Sequence, residues 1–197
     1  NLNKICSEAH KFTAYGHPRV NFNMLEEYKE GIIISTACLG GEFAKLVTDG
    51  YKEEAFEMAA KYKKVWGDDF YLEVMLTDKK ETETGEFQIK VIKAAMECSK
   101  KHDIKIIATN DCHYTKKENA KYFHIRKSIS TRRPLEKRDP AEYYLKSYKE
   151  MSSLFKGIGQ EWLNNTLEIS EKCNVVIEPG KVELPEFNIP ENESFNE

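Results

Sequence analysis

No stretch of this 197-residue sequence approaches the roughly 20 consecutive apolar residues that a helix needs to cross a bilayer, so no membrane span is expected. Paired cysteine spacing is missing too. The five cysteines, Cys6, Cys38, Cys98, Cys112 and Cys173, are scattered, odd in number and nowhere arranged as CxxC. That pattern argues against a disulfide framework and a zinc ribbon, and its simplest setting is a reducing cytoplasm. A surplus of positive charge is also lacking: the net charge is -3 and the pI about 6.1. The strongly basic class of nucleic-acid modules is thereby set aside, and any DNA contact has to come from a local patch or a neighbouring domain. No internal repeat is evident. The opening Asn1-Leu2-Asn3-Lys4 reads neither as a signal peptide nor as a natural start, so the chain is expected to be an excised piece or a processed product.

What is present suffices for a core. Hydrophobic residues make up 40% and aromatics 11%, in a length that suits one large domain or two small ones. The middle of the chain alternates strand and helix signals. Gly31 to Thr36 is a β-branched run, Tyr51 to Trp66 an amphipathic stripe ended by Gly67-Asp68-Asp69, and Phe70 to Met75 a second strand. Thr77 to Gly85 is a polar loop, Phe87 to Cys98 fits a helix face, and Ile104 to Thr109 is a third strand. Strands alternating with helices at this spacing predict parallel strands with crossover helices, an α/β fold. Later residues turn helical: Glu118 to Ser128, broken by Thr131-Arg132-Arg133-Pro134, a capping box at Ser147-Tyr148-Lys149-Glu150, and Glu161 to Lys172. Residues 1–181 are read as one domain with a helical exit. The proline-punctuated acidic stretch 182–197 is read as a linker.

The chemistry concentrates in Thr109-Asn110-Asp111-Cys112-His113-Tyr114, at the C-terminal end of the third strand, where loops of α/β folds gather ligands. Asp111 and His113 are two apart, so in extended chain they share a face. A carboxylate beside an imidazole suits Zn²⁺, Mn²⁺ or Fe²⁺. The same spacing also arises by chance at solvated strand ends. Cys38, in Thr36-Ala37-Cys38-Leu39-Gly40-Gly41-Glu42, follows the first strand and opens onto the same rim; the competing reading is a small buried core residue. Gly40-Gly41 allows close approach to a ligand, or merely a turn at the start of a helix. The other histidines, His10, His17, His102 and His124, show no ligand spacing. His102 reads as a solvated turn residue and His17 as a loop residue. A basic run from Lys116 to Arg138, with Tyr122 and Phe123 interleaved, suits a phosphate backbone or a solvated helix face.

These segments resemble the PHP domains of bacterial DNA polymerase III alpha subunits. Asn110-Asp111-Cys112-His113-Tyr114 is similar to that family's Asn-Asp-x-His-Tyr signature, and Ser35 to Glu42 to its Ser-Gly-Cys-Leu-x-Gly-Glu segment. Glu142 to Phe155, Asn165 to Val175 and Leu184 to Pro190 resemble later family segments in order. The resemblance implies the C-terminal half of a PHP-type (β/α)7 barrel, with Cys38, Asp111 and His113 on metal-ligand positions. It further implies Zn, Mn or Fe in the PHP site of the complete domain and Mg for polymerisation in the parent enzyme. DNA and other replicase subunits, such as the sliding clamp, are the implied partners. The PHP part is expected to act as a metal-dependent 3′–5′ exonuclease or as structural support. The family's His-x-His motif, Asp-His pair, Glu ligand, further His and palm aspartates have no counterpart here, so these residues alone are expected to hold an incomplete site and not to polymerise DNA. A stand-alone PHP phosphatase and a non-catalytic scaffold are the alternatives. A half barrel leaves strand edges open, which predicts dimerisation or another cover for the edge.

Overall fold

The parallel strands anticipated from the hydrophobic runs are the frame of the molecule. The computed structural model describes residues 1–77, 82–134 and 142–180. In chain order the elements are α1 (Leu2–Lys11), β1 (Thr13–Ala14), β2 (His17–Pro18), α2 (Phe22–Glu27), β3 (Ile34–Ser35), α3 (Glu42–Asp49), α4 (Lys52–Trp66) and β4 (Phe70–Met75). Then follow α5 (Glu83–His102), β5 (Lys105–Thr109), α6 (Ala120–Thr131), α7 (Tyr148–Leu154) and α8 (Gln160–Lys172). β1 and β2 form a small hairpin whose two turn residues, Tyr15 and Gly16, both have positive φ, as a tight two-residue turn demands. His17 therefore sits in a strand of this hairpin, not in a loop.

β3, β4 and β5 form one parallel sheet in that order, with Ser35 opposite Tyr71 and Met75 opposite Thr109. Strand alternation splits its residues between two environments. Phe70, Leu72 and Val74 of β4, with Ile106 and Ala108 of β5, join Phe43, Ala55, Phe56, Val91 and Ile92 in the apolar core. Cys98 lies in this layer with no exposed surface, and burial pushes its thiol up to about 12, so it is an inert packing residue. Tyr71, Glu73 and Thr109 project from the opposite face and carry the polar contacts described below.

Local signals explain the helices. α4 starts with Glu53 and Glu54 and ends with Lys63 and Lys64, matching the helix dipole at both ends. α7 begins with the full capping box between Ser147 and Glu150 anticipated from the sequence. α5 begins at Glu83, inside the stretch expected to be loop, because the Thr82 hydroxyl accepts the Gly85 N–H at 3.0 Å and so starts the helix early. The ladder of β3 is shorter than the Gly31–Thr36 run. α6 runs to Thr131, beyond the Ser128 expected, and is preceded by a 3-10 turn at Lys117–Asn119. His102 is not solvated: its ring stands edge-on to Phe56 at 6.3 Å, with Nε2 buried and unpartnered.

The outer edge of β5 is covered by α8. The Asn165 side chain, itself buried, donates to the Ile106 carbonyl at 2.7 Å and takes up an acceptor of the edge strand. β3, at the other edge, is only two residues long, another device that blunts an edge. Three strands are parallel and no closed barrel is formed among the described residues. No described helix is long and apolar enough to cross a membrane. The linker assigned to 182–197 lies outside the described residues.

Candidate metal centre

Because the strands are parallel, the residues that follow β3 and β5 emerge at the same, C-terminal, end of the sheet. Cys38 comes three residues after Ser35, on a turn whose backbone is tightly constrained. Ala37 has φ 58, and Gly41 caps α3 so closely that a Cβ there would stand 2.2 Å from the Thr36 carbonyl oxygen. Gly41 therefore serves the turn that starts α3, whereas a Cβ at Gly40 would meet only the Cys38 sulfur at 3.6 Å. Cys38 is exposed, not a core residue, and its sulfur accepts the Gly40 N–H at 3.4 Å. It lines a small crevice with Leu39, Glu73, Met75 and Gln88.

Asp111 and His113 follow β5. Their side chains meet, His113 Nε2 to Asp111 Oδ2 at 3.1 Å, and both are well exposed. The turn that carries them is held from behind by residues 142–146. His113 N–H donates to the Tyr143 carbonyl at 2.8 Å, and Leu145 N–H to the Tyr114 carbonyl at 3.0 Å. Asn110 Nδ2 donates to the carbonyls of Tyr144 at 2.7 Å and Glu142 at 3.3 Å. The His113 ring packs between Phe123, 4.9 Å away, and Tyr143, 5.3 Å away. Lys146 reaches in beneath: its side chain is only 2% exposed, and burial lowers its pKa against the opposing pull of Glu142. Burial acts the other way on Glu142 but is outweighed by Lys117, at 2.6 Å, and Lys146, so that carboxyl is held below the usual carboxylate range.

Sequence reasoning missed Glu73. Its carboxylate accepts the Ser35 hydroxyl at 2.5 Å and the Thr109 hydroxyl at 2.6 Å, while its own N–H goes to the Thr36 hydroxyl at 2.8 Å. One side chain thus ties together the ends of all three strands, directly below the loops of Cys38 and Asp111. The available signal was an ionisable residue inside an otherwise apolar strand.

The chemistry of the Asp111–His113 pair fits a divalent ion of intermediate hardness. Two donors on one such ion, each about 2.0–2.2 Å from it, lie roughly 3.0–3.5 Å apart; this pair stands at 3.1 Å, and a cation would take the place of the shared proton. The described residues bring no third donor to it: among them there is no group of three or more His, Cys, Asp and Glu side chains placed to hold a metal. Cys38 shares the rim but not the cluster. The basic run is divided in the same plain way. Lys121, Arg126, Lys127, Arg132 and Arg133 are exposed, Lys117 is paired with Glu142, Phe123 turns inward to His113, and Lys137 and Arg138 lie outside the described residues.

Comparison with known proteins bears on this rim. A family profile for the PHP domain matches residues 1–77, which include Cys38 and Glu73. The DNA polymerase III subunit alpha of Campylobacter jejuni is 36% identical over 206 aligned residues, covering 95% of this chain and 16% of that protein. That of Borreliella burgdorferi is 34% identical, covering 96% and 16%, and that of Treponema pallidum 33%, covering 100% and 17%. The chain is homologous to the DNA polymerase III alpha subunits. It spans about a sixth of the length of these alpha subunits. The alignment with the Treponema subunit runs through the whole chain, Asp111 and His113 included, where the domain profile stops at residue 77.

Proposed function

We propose that this chain serves as the PHP-type part of a DNA polymerase III alpha subunit, and that Cys38, Asp111 and His113 are its contribution to a divalent-metal site at the C-terminal mouth of the parallel strands. The observation that carries the reading is the Asp111–His113 pair, 3.1 Å apart, on the same rim as Cys38 in a chain homologous to those subunits. The remaining donors come from outside the described residues, as part of a PHP-type barrel of which these strands are one portion. Zn, Mn or Fe held by these residues and further donors would supply Lewis acidity for phosphodiester hydrolysis, the chemistry of a 3′–5′ exonuclease. The chain's own residues hold and orient: Asp111 and His113 present an oxygen and a nitrogen to one point, and Glu73 fixes the strand ends from which both loops spring. DNA synthesis, with Mg, belongs to the longer enzyme, whose partners are DNA and other replicase subunits such as the sliding clamp, in the cytoplasm.

In the full-length protein, His113→Ala is expected to lower the bound metal by about one ion per molecule, measured by elemental analysis, with DNA polymerisation retained. Metal content equal to that of the unaltered protein would overturn the ligand assignment. One observation favours a second reading, a scaffold without catalysis: the described residues join two donors and no third. A complete domain free of metal at neutral pH would support that reading.

A further inference from the structure

An ammonium group enclosed by protein, away from water, demands a reason. Lys146 is such a group, and it lies directly behind the turn that presents Asp111 and His113. Its Nζ donates to the Glu142 backbone carbonyl, approaches Asn110 Oδ1 at 3.4 Å and Glu142 Oε2 at 3.5 Å, and sits 4.3 Å from the centre of the Tyr144 ring. Asn110 is the residue between the end of β5 and Asp111. Its amide shares the Glu142 carbonyl with Lys146 and also bonds the Tyr144 carbonyl. The cation therefore joins two segments about thirty residues apart in sequence: the 142–146 buttress and the base of the donor turn. It faces the acceptor side of the Asn110 amide while the donor side faces the buttress, so the amide has one satisfied orientation. That orientation fixes where the chain leaves β5.

We infer that Lys146 is the positioning residue of the candidate metal centre: its enclosed ammonium locks Asn110 against residues 142–144 and thereby sets the direction in which Asp111 and His113 point. The inference rests on the reading of Asp111 and His113 as metal donors. Outer partners of metal ligands commonly change affinity by about 10–100-fold when removed, because they fix the orientation of the donors. Lys146 acts one bond further out, through Asn110 and the backbone.

The test uses the full-length protein with Lys146→Met, which keeps the aliphatic stem, and Lys146→Arg, which keeps the charge. Two quantities are read: Zn²⁺ affinity by competition with a chromophoric chelator, and the alkylation rate of Cys112 by iodoacetamide, followed on its own peptide by mass spectrometry. Cys112 is an exposed residue of the turn whose sulfur stands 3.7 Å from the Tyr144 carbonyl, so its reactivity reports whether that contact between turn and buttress is kept. Lys146→Met is expected to weaken Zn²⁺ about tenfold and to speed Cys112 alkylation severalfold, with Lys146→Arg restoring most of both. If His113→Ala weakens Zn²⁺ but Lys146→Met changes neither quantity, the positioning role is overturned and the metal reading stands. If Lys146→Met speeds alkylation while His113→Ala leaves Zn²⁺ affinity unchanged, the metal reading fails and the docking role stands. Should Lys146→Met abolish cooperative folding, Asn110→Ala decides. It removes the middle of the same link and is expected to reproduce both changes; no change in either contradicts the inference.

Discussion

Cys38 owes its position to two neighbours that tolerate little change. Ala37 occupies the left-handed region at φ 58, which a residue with a Cβ enters only when its surroundings enforce it. Gly41 has no room for a Cβ, because the Thr36 carbonyl oxygen is 2.2 Å from where it would stand. Gly41→Ala is therefore expected to destabilise the protein by about 1–3 kcal/mol, the range for forcing backbone shifts in a packed site. Urea denaturation measures it, and an unchanged midpoint would show that the turn yields freely. The glycine was visible in the sequence, and so were Asp111, His113 and Cys38. Their surroundings were not. Glu73 grips Ser35 and Thr109, residues 38 and 36 positions away, and Lys146 grips Asn110 across 36. Such pairings follow from strand order and loop docking, which no local pattern encodes.

At the scale of elements, legibility followed locality. β4 was readable to the residue because its run is apolar but for Glu73 and bounded by Gly67-Asp68-Asp69, and α7 because its capping box is four consecutive residues. β3 was overestimated: a β-branched run signals strand propensity, but ladder length depends on the partner, and here only Ile34 and Ser35 find one in β4. The start of α5 was missed because one threonine cap outweighed a stretch of polar residues. The fate of the open edge was the least legible feature. The buried Asn165 of α8 satisfies the Ile106 carbonyl of β5, a contact made across 59 residues. Asn165→Ala is expected to lower stability by about 1–3 kcal/mol, the cost of an acceptor left unpaired in a buried place. A variant that gains self-association in sedimentation would show in addition that α8 keeps the β5 edge from pairing with another chain.

Across the whole molecule, α8 is also pinned by charge. Glu168 bonds Lys105 at 2.6 Å, Lys172 at 3.0 Å and the Tyr71 hydroxyl at 3.0 Å, and Lys172 reaches Asp69 at 3.0 Å. Hydrogen bonds from Lys105 and Lys172, then Tyr71, hold the Glu168 carboxyl at about 2, well below its ordinary 4.5. Burial works against the charge on Lys172, but Tyr71, Asp69 and Glu168 outweigh it and raise its pKa. A carboxyl depressed on folding contributes stability that is full above its unfolded pKa and is lost as pH falls through its folded one. The Glu168 contribution is thus expected to fade between about pH 4.5 and 2. In Glu168→Gln the acid limb of a thermal-midpoint profile should flatten in that window; an unaltered limb would mean the network adds nothing on balance. Fold class and the location of the candidate rim were legible because parallel strands put every following loop at one end. The number of donors was not, since which side chains meet depends on loop docking: among the described residues Asp111 and His113 meet and no third donor joins them.

Whether Cys38, Asp111 and His113 belong to one metal centre is tested most directly by titrating the full-length protein with Co²⁺ and recording its absorption. A near-ultraviolet thiolate-to-cobalt band that Cys38→Ser abolishes is expected, together with visible bands that His113→Ala and Asp111→Asn weaken. Co²⁺ binding that shows no thiolate band, or a band that survives Cys38→Ser, would contradict a shared centre.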